Sequence, residues 1–186
     1  MPTKSIMFNA ALEPLTQPLP ADIAAGVGAI VQRHAYLDWV LGQVMYSLME
    51  ISIKQGRVIM KLPRPRVYVA AVKELFEFHS LAARFDFDDL AKCLERAESA
   101  RRELTRSVYM RDTDSRALRI ELVRSPWDPG PGGDTQPETQ SLDARHLAKK
   151  RKDVEDAIKC AGKLRALTDK QLRARHRSRL AASRRK

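Results

Sequence analysis

Helical periodicity constrains this 186-residue chain more than any other feature. Ile30, Leu37, Leu41, Val44, Leu48 and Ile51 follow one another at spacings of seven, four, three, four and three. Residues so spaced share one face of a helix with about 3.6 residues per turn, and an apolar face of that kind has to be buried. The first helix is expected to begin near Ala21, just after Pro20, and to stop near Gly56. At roughly 1.5 Å per residue it would be about 50 Å long, with Gly28 and Gly42 as places for a bend. The Gly26–Gly28 stretch sits inside this apolar pattern and reads as a packing feature, not as a nucleotide loop.

The same period returns three times. Val69, Val72, Leu75, Phe76 and Leu81 define a second helix from about Val67 to Arg84. Leu90, Cys93, Leu94, Ala97, Leu104 and Val108 define a third from about Asp88 to Tyr109, with Asp86, Asp88 and Asp89 at its dipole-positive start. Leu147, Val154, Ile158, Ala161, Leu164 and Leu167 define a fourth from near Ser141, and the periodicity fades after Leu172. Ala117 to Arg124 alternates instead: Leu118, Ile120 and Leu122 face one way, Arg119 and Glu121 the other. That pattern reads as a short half-buried strand, with Val108 to Arg111 as its partner. The stretch SPWDPGPGGDTQPETQ has the composition of a loop. The expected organisation is a flexible arm at 1–20, a helical domain at 21–172 with a flexible loop at 125–140, and a basic tail at 173–186. The fold class is mainly α: a four-helix-bundle-like arrangement with a short β-strand or hairpin and a basic C-terminal extension.

The formal charge of +11 is unevenly distributed. Residues 1–144 hold 18 basic and 19 acidic side chains; residues 145–186 hold 16 and 4. Such a segment attracts polyanions without sequence preference, RNA among them. Its candidate contacts are Arg173, Arg175, Arg177, Arg179, Arg184, Arg185 and Lys186, and it has no aromatic residue on which a base could stack. Lys149 to Lys152 read as the exposed face of the fourth helix. Cys93 and Cys160 lack neighbouring ligand motifs and read as buried or incidental thiols, so no metal and no cofactor is expected. There is no apolar run of about 18 residues and no apolar signal core near the N-terminus, so a cytoplasmic chain without a membrane role is expected.

His34, His79, His146 and His176 have no second ligand at zinc-site spacing, although His34 and Asp38 share a helical face. Nucleophile-elbow and Walker-type motifs are missing, and no catalytic residue is assigned. The most informative stretch is Glu95 to Arg111, ERAESARRELTRSVYMR. Arg101, Arg102, Glu103, Leu104, Thr105, Arg106, Ser107, Val108 and Tyr109 resemble a pattern of the HEPN (higher eukaryotes and prokaryotes nucleotide-binding) superfamily. That pattern is an arginine, usually an asparagine, three residues, a histidine, a small residue and an aromatic. RIELVRSPW and the helix order resemble the same family, over about residues 25–170.

The resemblance implies a compact helical fold, frequent homodimers and metal-independent RNA cleavage by an arginine–histidine pair. Here the histidine position holds Arg106 and the asparagine position Arg102. A guanidinium stays protonated and cannot shuttle protons, but it can hold a phosphate through forked hydrogen bonds. The expectation is a catalytically degenerate HEPN-like protein that associates with RNA or another anionic partner through Arg101, Arg102 and Arg106. A solvated surface explains the same residues, since Glu98 lies three and four positions before Arg101 and Arg102. Two further readings are a helical dimerisation or protein-interaction module, and a toxin-like ribonuclease using His79 or His146 as base.

Overall fold

The computed structural model describes residues 12–59, 64–81, 85–112, 119–123 and 139–183. The expected strand residues Ala117 and Leu118, most of the 125–140 loop and Arg184, Arg185 and Lys186 lie outside them. Among the described residues the chain is mainly α. The elements are β1 (Leu12–Pro14), α1 (Ala21–Leu48), α2 (Ile53–Ile59), α3 (Pro65–Phe78), α4 (Phe87–Arg106), β2 (Val108–Asp112), β3 (Arg119–Val123), β4 (Thr139–Ser141) and α5 (Ala144–Ser183). The chain forms two compact units, Met1–Val31 with Ser99–Lys152 and Gln32–Glu98 with Asp153–Lys186. Helices α1, α4 and α5 each contribute residues to both.

The first unit holds the sheet, antiparallel throughout in the order β1-β2-β3-β4. The expected pairing of the two central segments is present, with Val108 opposite Val123 and Asp112 opposite Arg119. Two strands differ from expectation. Residues 12–14 of the expected flexible arm pair with Met110–Asp112, and Thr139–Ser141 extends the sheet from what reads as loop. Successive strand residues point to opposite faces. Ile120 and Leu122 are buried on one face, Met110 and Val123 on the other. The third helix ends at Arg106, not Tyr109, because Val108 and Tyr109 enter β2. Asp143 Oδ1 accepts the His146 N–H at 2.6 Å and caps α5, and Leu147 packs so closely on α1 that a Cβ at Gly26 would lie 2.8 Å from its Cδ1.

In the second unit, the apolar stripes predicted for the helices are the buried ones: Leu37, Leu41, Val44 and Leu48 of α1, Val69, Val72 and Phe76 of α3, Leu90, Cys93, Leu94 and Ala97 of α4. Asp86 Oδ1 accepts the N–H groups of Asp88 and Asp89 at 3.1 and 2.8 Å and so caps the start of α4, where the acidic cluster was expected to meet the helix dipole. The first helix stops at Leu48, short of Gly56, through a Schellman cap: Glu50 N–H bonds Ser47 O and Ile51 N–H bonds Tyr46 O, with Glu50 at φ 54°. Ser80, at φ 52°, closes α3 with the same pair of bonds to Glu77 and Phe76. His79, the last residue before that turn, places Nε2 on the Leu48 carbonyl and Nδ1 against Arg175. One imidazole thus ties together two helix C-termini whose carbonyls have no intrahelical donors. The Tyr68 hydroxyl donates to Leu41 O at 3.1 Å, and burial pushes its phenol above the ordinary range.

Gly56 lies inside α2 and does not end a helix. Ser52 and Gln55 form a capping box at the start of α2: Ser52 Oγ accepts the Gln55 N–H at 3.3 Å, and Gln55 Oε1 accepts the Ser52 N–H at 2.9 Å. A Cβ at Gly56 would collide with the Tyr46 ring. Gly56→Ala should therefore destabilise the protein by about 1–3 kcal/mol, the usual cost of overpacking. Urea denaturation checks this, with Gly28→Ala, where a Cβ meets nothing within 4 Å, as the tolerated control.

Candidate nucleic-acid interface

Helix α5 runs for 40 residues and includes most of the segment expected to be a tail. In the second unit its buried residues are Val154, Ala157, Ala161, Leu164 and Thr168, at spacings of three, four, three and four. At about 100° per residue, the opposite face carries Lys159, Lys163, Lys170, Arg173 and Arg177, all exposed. Five cations therefore share a stripe about 27 Å long at roughly 1.5 Å per residue. Within the helix, Lys159 Nζ pairs with Asp156 Oδ1 at 3.3 Å, and Arg177 Nε donates to Arg173 O at 3.4 Å. The basic surface thus begins well before residue 173.

Other basic residues of α5 are turned away from solvent. Arg175, an expected tail contact, is half-buried, bonded to His79 Nδ1 and 3.8 Å from Glu50 Oε1. Arg165 lies over the Trp39 ring, 5.0 Å from its centroid, and Trp39 stacks on Tyr36 at 5.7 Å. Backbone alone is described for Arg179, within α5. In the first unit Arg145, Lys149, Arg151 and Lys152 are exposed, but Lys150 departs from the expected exposed run and pairs with Glu103 Oε2.

The three arginines expected to form an anion site do not all share one face of α4. Arg102 and Arg106 are exposed, one turn apart, on the side away from buried Ala97, Ala100 and Leu104. Arg101 is half-buried, about 100° around the axis from Arg102. Glu103, between them, has turned inward. Its Oε1 lies 2.7 Å from His146 Nε2, and Gln140 Nε2 lies 3.0 Å from His146 Nδ1. Tyr109, the aromatic of the same motif, donates its hydroxyl to Leu104 O at 2.5 Å, and burial pushes its phenol up.

His34, His79 and His146 are all buried. His34 faces Asp38 Oδ2, its expected neighbour, and Glu98 Oε2, each at 3.4 Å. His176 is exposed and lines a cleft of about 260 Å³ with Glu50, Leu172 and Arg175.

The two cysteines are not isolated. Cys93 of α4 and Cys160 of α5 bring their sulfurs to 3.6 Å, with Asp89 beside both. Burial, then the neighbouring Cys93 and Asp89, push the Cys160 thiol up to about 12. Asp89 and Cys93 are four residues apart, so their shared face is readable from the sequence, but Cys160 joins them only in three dimensions. Compared with protein-family models, curated proteins and solved structures, the chain has no match.

Glu103, His146 and Lys150 expose 13, 7 and 13% of their side chains, so Glu103 holds two polar partners in a poorly hydrated place. Breaking such a cluster from one side strands the remaining groups. Glu103→Ala should cost about 3 kcal/mol in urea denaturation at pH 7, and Glu103→Gln, which keeps a hydrogen-bonding oxygen, should cost less.

Proposed function

We propose that this protein associates with RNA through the exposed basic face of α5, and that it is a catalytically degenerate HEPN-like protein. The observation that carries the reading is the alignment of Lys159, Lys163, Lys170, Arg173 and Arg177 on the helix face opposite the buried stripe. A row of cations at this spacing neutralises successive phosphates of a flexible strand and releases their counterions. Arg102 and Arg106, exposed on α4, are a second set of phosphate contacts in the same reading.

Binding without cleavage is the favoured form. Arg106 stands where the family resemblance places the proton-transferring histidine, and its guanidinium keeps its proton. The alternative bases, His79 and His146, are buried with each ring nitrogen facing a polar partner, which argues against the ribonuclease reading. One observation favours the protein-interaction reading instead: Tyr36 and Trp39 are 50 and 45% exposed on α1.

Fluorescence anisotropy with a labelled single-stranded RNA tests the proposal. Changing Lys163, Lys170, Arg173 and Arg177 together to Glu should weaken binding at least tenfold. It should also make the log–log salt slope shallower by about 3, at about 0.7 for each phosphate no longer neutralised. Arg102→Glu with Arg106→Glu should weaken binding less. Circular dichroism confirms that α5 is retained. Unchanged affinity in the α5 variant, or no binding by the unaltered chain, overturns the proposal.

A further inference from the structure

We propose that Asp89, Cys93 and Cys160 form a binding site for a zinc-type divalent cation. Asp89 and Cys93 stand one turn apart on α4, and Cys160 reaches them from α5 within the same unit. The sulfurs are 3.6 Å apart, Cys160 Sγ lies 3.5 Å from Asp89 Oδ2, and Cys93 Sγ lies 3.9 Å from Asp89 Oδ1. A tetrahedral zinc with Zn–S of about 2.3 Å and Zn–O of about 2.0–2.2 Å holds its ligand atoms roughly 3.5–3.8 Å from one another. The sulfurs are thus near the separation the ion requires, each lies near it from one of the two Asp89 oxygens, and one oxygen with both sulfurs falls within 4.8 Å, so a small turn of the Asp89 carboxylate completes the set.

The donor set selects the ion. Two thiolates and one carboxylate suit zinc and its softer congeners and disfavour magnesium and calcium, which take oxygen ligands. Charge is balanced locally as well. Two thiolates, a carboxylate and a divalent ion sum to one negative charge, and Arg96 Nη2 lies 3.2 Å from Cys93 Sγ to offset it. Access is provided from one side: Cys93 is buried, whereas Asp89 is exposed and Cys160 partly so. A water or an exogenous donor completes the tetrahedron there. On binding, each S–H bond is replaced by a sulfur–metal bond and two protons leave to solvent, so affinity rises steeply with pH.

The test uses the full chain, reduced and stripped of metal. Cobalt(II) is the spectroscopic probe and zinc(II) the competitor. Expected are one cobalt per chain, a thiolate-to-cobalt charge-transfer band with the intense visible bands of a tetrahedral ion, and displacement by one equivalent of zinc. Cys160→Ser and Cys93→Ser should each abolish the charge-transfer band or halve its intensity, with affinity down at least tenfold. Asp89→Asn should weaken binding tenfold and leave both sulfur contributions. Cys160→Ser is on a partly exposed position, so its circular dichroism should match that of the unaltered chain and separate lost binding from lost folding. Zinc should also protect both thiols from alkylation. No charge-transfer band, undiminished binding by the Cys93→Ser/Cys160→Ser double variant, or a Cys93–Cys160 disulfide that zinc fails to prevent, overturns the proposal.

Discussion

Helix α5 can bury only one stripe, and the residues of that stripe decide where all its others point. Val154, Ala157, Ala161, Leu164 and Thr168 repeat at alternating spacings of three and four, and two of the five are alanines. Small side chains let neighbouring elements approach closely, so the orientation of the helix about its axis is tightly specified. Thr168 fits among apolar neighbours because its hydroxyl donates to Leu164 O at 2.9 Å and leaves no donor unmet. From that one alignment follow the outward lysines and arginines, the flank position of Cys160 beside α4, and the inward turn of Arg175 toward His79. The charge of the segment and the location of its thiol are both consequences of where its apolar residues fall.

The helical part of the fold is legible in the sequence because the 3.6-residue period repeats over enough turns to be unambiguous, and the buried residues of α1, α3, α4 and α5 largely coincide with the periodic ones. Boundaries are less legible for identifiable reasons. The cap after Leu48 uses Glu50 in the left-handed region, a position where glycine is the usual signal, so the stop has no visible marker. Gly56 looks like that marker but serves the Tyr46 ring instead. The Ser52–Gln55 box is present in the sequence as S-x-x-Q and is a real start signal. Strand β1 has no local signature at all: three residues ending in Pro14 are extended because β2, far along the chain, supplies their partners.

The candidate sites show the same division. Arg102 and Arg106 can be placed on one exposed face from their spacing alone, whereas the inward turn of Glu103 cannot, because it depends on His146 and Lys150 of another helix. The tally of basic residues locates the charge of the C-terminal segment but not its arrangement. Lys159 and Lys163, which lie before the segment expected to be the basic tail, belong to the same stripe as Arg173 and Arg177. The cysteines, separated by 67 positions, carry no pairing signal, since neither has a second ligand nearby except Asp89.

The pairing of Leu12 with Asp112 bears on the order in which the chain can assemble. As the polypeptide emerges from a ribosome, β1 is made early and waits while nearly a hundred residues are added before its hydrogen-bonding partner exists. The intervening stretch includes the whole of Gln32–Glu98, yet that portion must itself wait for Asp153 onward to complete its unit. Closing such long loops costs entropy that grows with the logarithm of their length, and contacts of large sequence separation slow the search for the native state. Despite its helical content, this chain is built to mature late, with neither half of its architecture finished before synthesis has reached α5.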